Sequence, residues 1–96
     1  MSDCDSVLKQ LGERLKAARL QRNESQAVFG ARLGLTRQSY AKMEKGQGTV
    51  PIASWLEASD ILGRLHTWDQ VMSEPQDLFE RFDRQQTARK RAGSRR

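Results

Sequence analysis

The chain has 96 residues, 36% of them hydrophobic and 30% charged, with 17 Lys and Arg against 12 Asp and Glu. That length bounds it to one domain with a modest core, and no apolar run is long enough to cross a membrane. One cysteine, Cys4, excludes an intrachain disulfide, and with one histidine, His66, it leaves too few members for a metal cluster or a nucleophile–base pair. A non-enzymatic, cofactor-free cytoplasmic protein is therefore expected, and the acidic, polar opening MSDCDS runs against a secretory signal.

The first predicted helix covers residues 6–22, after an N-terminal tail at 1–5. Leu8, Leu11, Leu15 and Ala18 recur at three- and four-residue spacing, with Lys9, Glu13, Arg14 and Lys16 outside the stripe. Ser6 suits the N-cap and Asn23 a left-handed terminator. A second helix starts at Ser25, whose hydroxyl can accept from exposed backbone N–H groups, and ends near Leu33. A third follows the cap residue Thr36 and ends near Lys45, with Gly46 suited to the position just beyond.

Between the second and third helices, Gly34 sits where the chain must turn sharply, and glycine reaches positive φ without a steric penalty. Gly30 sits where two crossing helices need a small residue. The apolar positions are Val28, Phe29, Leu33, Leu35, Tyr40 and Met43. This layout is a helix-turn-helix, whose second helix can lie in the DNA major groove.

The stretch GQGTVP at 46–51 reads as a loop, since no strand precedes its Gly-x-Gly and no Lys-Ser/Thr follows. A fourth helix begins near Pro51 and ends at Gly63, with Ile52, Trp55, Leu56, Ser59, Ile61 and Leu62 forming a broad stripe and Trp55 placed in the core. A fifth covers about residues 65–72, with Leu65, Trp68, Val71 and Met72 apolar. Pro75 breaks it. Residues 76–84 predict a short helix carrying Leu78, Phe79 and Phe82 on one side. Glu74, Asp77, Glu80 and Asp83 are spaced by three and read as a solvated face rather than a metal site. Residues 85–96 have no apolar periodicity and predict disorder in the free chain. The expected class is all-α, a compact five-helix bundle, with the helix-turn-helix domain at 6–73 and a charged, partly disordered extension at 74–96.

Charge is unevenly spread. Residues 9–45 hold nine basic and three acidic side chains, whereas residues 50–84 hold three basic and seven acidic. Residues 85–96 add Arg89, Lys90, Arg91, Arg95 and Arg96 with no acid. A positive half that contains the reading helix is the electrostatic footprint of a nucleic-acid binder. On that helix, Arg37, Gln38, Ser39 and Lys42 lie opposite Tyr40 and Met43. Arginine favours guanine O6 and N7, and glutamine favours adenine N6 and N7. Gln26, at the first turn of the second helix, and Thr36 are placed for backbone phosphate. Arg32 and Lys45 are further phosphate candidates.

With those residues in place, the chain resembles the Cro/cI-type (Xre) helix-turn-helix family over about residues 11–72. The match is carried by Leu15 and Arg19, by Ser25-Gln26-Ala27, by the run from Leu33 through Gly34 to Tyr40, and by Met43-Glu44-Lys45-Gly46. The resemblance implies that Gln26 binds phosphate. It also implies that Arg37, Gln38 and Lys42 face bases with Ser39 close by, and that Arg19 pairs with Glu44 to tie the first helix to the third. Two positions depart from the family pattern: Asn23 stands where glycine is common, and Glu24 where a hydrophobic residue is common, so looser packing is expected at that corner.

Two functional classes remain. One is a DNA-binding repressor acting as a homodimer on a near-palindromic operator, with Trp68, Val71 and Met72 at the dimer interface. The other is an antitoxin that also binds a partner. The small size, single domain and short charged extension resemble HipB-type antitoxins, which pair with HipA-type kinase toxins. Leu78, Phe79 and Phe82 would then meet the partner, and the basic tail would fold on it or lie along DNA as a sequence-neutral arm.

Overall fold

The computed structural model describes residues 3–75. The predicted helix at 76–84, with Leu78, Phe79 and Phe82, and the basic segment 85–96 lie outside the described residues. Four α-helices follow one another, α1 (Asp3–Gln21), α2 (Gln26–Arg32), α3 (Arg37–Glu44) and α4 (Ile52–Ile61), and a 3-10 helix covers Leu65–Gln70. The class is all-helical, with no strand among the described residues. The chain divides into two units, Met1–His66 and Thr67–Arg96.

α1 begins at Asp3, three residues before the expected cap Ser6. Asp3 and Asp5 place negative charge in its first turn, where the helix dipole favours it, so the helix extends into the expected tail. It stops where Asn23 turns left-handed at φ 56°. Ser25 caps α2 by accepting from the Val28 N–H at 3.1 Å, and Thr36 caps α3 by accepting from the Ser39 N–H at 3.1 Å. Gly34 turns the chain between them at φ 71°.

The core of the first unit is the contact of α2 with α3. Phe29, Tyr40 and Met43 are fully buried, joined by Leu15, Ala18, Leu33, Trp55 and Ala58. The Phe29 and Tyr40 rings meet with centroids 5.4 Å apart at 55°, a tilted aromatic pair. Gly30 lets the two helices cross, because a Cβ there would come within 2.9 Å of the Tyr40 Cβ.

Gly12 does the same work on α1, and more tightly. A Cβ at Gly12 would collide with the backbone carbonyl of Glu44 and reach 2.8 Å from the Met43 carbonyl oxygen. α1 therefore packs against the end of α3 with main chain almost touching main chain.

Three details refine the expectations. Val28 is not a core residue; it points outward on α2 and is 48% exposed. The α4 stripe is narrower than expected, since Trp55 and Ala58 are buried but Ile52 is 62% exposed and Leu56 also faces out. The fifth helix is present and is of the 3-10 type, over Leu65–Gln70. Six residues are too few for cooperative α-helical bonding to take hold, and such short pieces close with i→i+3 bonds. The same bonding continues past its end, from the Val71 N–H to the Trp68 carbonyl at 3.0 Å, and Met72 then turns at φ 60°.

The close approach at Gly12 has a measurable consequence. Gly12→Ala is expected to destabilise the protein by about 1–3 kcal/mol, because backbone atoms cannot move aside as a side chain can. Gly34→Ala meets open space and carries only the left-handed penalty of about 1–2 kcal/mol. Urea midpoints of the two variants test the ranking.

Candidate nucleic-acid interface

The position of α3 is set by one buried ion pair. Arg19 of α1 donates from Nε to Glu44 Oε2 at 2.6 Å and from Nη2 to Glu44 Oε1 at 3.1 Å. Both side chains are nearly enclosed, 8% and 4% exposed. The third arm of the guanidinium, Nη1, donates to the Glu24 carbonyl at 2.8 Å. One planar cation therefore holds the end of α3 and the corner before α2 together, using the fork geometry that suits arginine to carboxylate.

Gln26 joins the same cluster. Its Nε2 donates to Glu44 Oε1 at 3.1 Å, so the expected phosphate contact is also a member of the lock. An amide carries two N–H donors, which leaves one for another acceptor. Burial opposes ionisation of Glu44, but the donors gathered round it, Arg19 foremost, outweigh that and hold its carboxyl below the usual range. The hydrogen bond to Glu44 raises the Arg19 guanidinium. The Tyr40 hydroxyl is buried beside this pair without a well-formed hydrogen bond, and burial together with the neighbouring Glu44 charge pushes its pKa well up.

On the other side of α3, Arg37, Gln38 and Lys42 are exposed. At 3.6 residues per turn they fall within an arc of about 140°, with Tyr40 and Met43 opposite. None of the three makes an ion pair among the described residues. Lys45, the C-cap, is exposed near the same side. Ser39 sits lower, half-buried, at the edge of an open cleft of about 180 Å³ between α3 and the start of α4 that also meets Lys42, Val50, Pro51 and Ser54. Its hydroxyl is tied to that of Thr36 at 3.0 Å, and the Thr36 oxygen is already spent on capping.

Arg32 is drawn onto an acid. Its Nε donates to Glu24 Oε2 at 2.6 Å, while the Arg22 Nε donates to Glu24 Oε1 at 2.5 Å. The hydrogen bonds from Arg32 and then Arg22 hold the Glu24 carboxyl below the usual range. The corner expected to pack loosely is instead fastened by charge. This cluster has no periodic signature in the sequence; its one signal is an acid at a position where the resemblance leads one to expect an apolar residue.

In the second unit, Val71 and Met72 are exposed, Met72 almost completely, and Trp68 is half-buried. No group of His, Cys, Asp and Glu among the described residues is arranged to hold a metal. No helix among them is long and apolar enough to cross a membrane.

This geometry, a short capped helix locked from behind with a basic, polar face left outward, defines a helix-turn-helix unit. A family model described as a helix-turn-helix domain matches residues 10–66, more than half of the chain, and the protein belongs to that family. It is a DNA-binding regulator in that general sense. Comparison with curated proteins and with solved structures gave no match.

The Glu44 and Glu24 carboxyls are both held low, so each contributes stability that is present above the ordinary carboxylate pKa of about 4.5 and is lost as pH falls through its depressed value. Acid unfolding is therefore expected below about pH 4.5. Glu44→Gln should be less stable at neutral pH and should lose less on acidification. Arg19→Ala, which strands a buried carboxylate, should cost about 3–5 kcal/mol. Circular-dichroism melts across pH check both, and an unaltered pH profile in Glu44→Gln would remove the pair from this role.

Proposed function

We propose that the protein is a sequence-specific transcriptional repressor of the Cro/cI type that binds a near-palindromic operator as a homodimer in the cytoplasm. The observation that carries this reading is the exposed row Arg37, Gln38 and Lys42, without an ion pair among the described residues, on the face of α3 opposite the fully buried Tyr40 and Met43. A helix anchored on one side and polar on the other can enter a major groove without losing its core contacts. Arg37 and Gln38 then read base edges, with Lys42 and Ser39 beside them. Gln26, through its remaining N–H, and Lys45 hold the phosphate backbone, with Thr36 placed beside them at the start of α3.

The dimer is the second part of the proposal. The exposed Val71 and Met72, with Trp68, supply an apolar patch that a second copy would cover. A two-fold pair would set its reading helices one DNA turn apart, about 34 Å. The antitoxin reading depends on residues 74–96, of which 76–96 lie outside the described residues, and a co-purified kinase-like partner would favour it over the plain repressor.

Arg37→Ala or Gln38→Ala should each cost about 1–3 kcal/mol of binding free energy and relax preference at particular base pairs. Selection of bound sites from a random duplex pool, followed by titration of single-base variants, reads this out. Equal loss on every duplex would reduce both residues to phosphate contacts. For the dimer, Trp68→Ala or Met72→Ala should shift sedimentation toward the monomer at low micromolar concentration, and a monomeric parent protein would end that part of the proposal.

A further inference from the structure

The corner between α1 and α2 gathers two arginines on one acid. Glu24 accepts from Arg22 on one carboxylate oxygen and from Arg32 on the other, at 2.5 and 2.6 Å. The carboxylate is 11% exposed, whereas the Arg22 and Arg32 side chains are 36% and 48% exposed. The two guanidiniums thus lie at the surface, with their charge turned onto an acid beneath them. Glu24 is also fixed from behind, because its carbonyl accepts from Arg19 and so shares the lock on Glu44. It lies next to Ser25 and Gln26, the start of α2.

We propose that Glu24 masks Arg22 and Arg32, withholding both from a polyanionic backbone that lies along the α1–α2 corner. This inference rests on the reading of the protein as a binder of nucleic acid and says how that binding is limited. Contacts to phosphate carry no sequence information, and each one adds to binding on every duplex alike. Two further phosphate contacts at this corner would strengthen non-specific binding without strengthening the reading by α3. With the acid in place the corner carries one net positive charge instead of two. Each arginine spends its Nε on Glu24, so the acid fixes where the remaining Nη donors point and offsets part of the charge they would offer a phosphate. Arg32, which the sequence alone offers as a phosphate contact, is the clearest case.

The test compares Glu24→Ala with Glu13→Ala in the full chain. Glu13 is an exposed acid on α1 that holds no ion pair among the described residues, so both variants make the same change in net charge. On a non-specific duplex, the slope of log K against log salt should steepen by about 1–2 in Glu24→Ala, at about 0.9 per phosphate gained, and should hardly change in Glu13→Ala. Glu24→Ala should also elute from heparin at higher salt than Glu13→Ala, and adding Arg22→Gln and Arg32→Gln should cancel the gain. Glu24→Gln keeps the side-chain shape and should move in the same direction, which covers the case in which the alanine variant folds poorly. Equal salt slopes and equal heparin elution for the Glu24 and Glu13 variants would overturn the mask. Heparin has no bases, so its elution order tests Glu24 even if the parent protein shows no preference among duplexes, a result that would count against the role of α3 instead.

Discussion

The guanidinium of Arg19 is the point on which the rest of the first unit depends. A positive charge taken out of water must be matched, and here it is matched on three sides at once: two bonds to the Glu44 carboxylate and one to the Glu24 carbonyl. Because Glu44 closes α3 and Glu24 precedes α2, a single side chain fixes how both helices sit on α1. The bond from Gln26 to the same carboxylate draws the first turn of α2 into that arrangement. An apolar contact at this spot would pack as well but would tolerate sliding. Charge-assisted hydrogen bonds with fixed directions tolerate much less.

Packing below the pair serves the same end. Gly12 removes the one atom that would keep α1 away from the backbone of α3, and Gly30 removes the one that would keep α2 from Tyr40. The helices come close enough for Phe29, Tyr40 and Met43 to be sealed completely. α3 is only eight residues long and would not persist in water alone. Its caps, its buried face and its ion pair hold it rigid, so that its outward side chains present a fixed pattern.

The charge of this half of the molecule is sorted rather than simply positive. Glu44 takes Arg19 into the interior, and Glu24 occupies Arg22 and Arg32 at the corner. Arg37, Lys42 and Lys45 are left without an acid among the described residues. The net positive count of residues 9–45 thus resolves into cations that hold the fold together and cations that face outward, a distinction that a count of charges along the chain does not contain.

The sequence by itself determined the helices of the helix-turn-helix and their ends. Ser25, Thr36, Asn23, Gly34 and Gly46 act through bonds and torsions within a few residues, so their effect is written locally. The spacing of Phe29, Leu33, Tyr40 and Met43 was legible for the same reason, and so was the outward face of α3. Contacts between residues far apart in the chain were decided only by the tertiary structure. Arg19 and Glu44 are 25 positions apart, and no local pattern joins them; only a resemblance suggested the pair. Gly12 carried a signal, a glycine inside a helical stripe, but nothing in the sequence said what lay against it. Val28, Ile52 and Leu56 are as apolar as their buried neighbours, and exposure was fixed by which side of each helix met another. Residues 65–70 have the apolar spacing of an α-helix, yet hydrophobic period does not distinguish an α turn from a 3-10 turn when the segment is too short for cooperative bonding to choose.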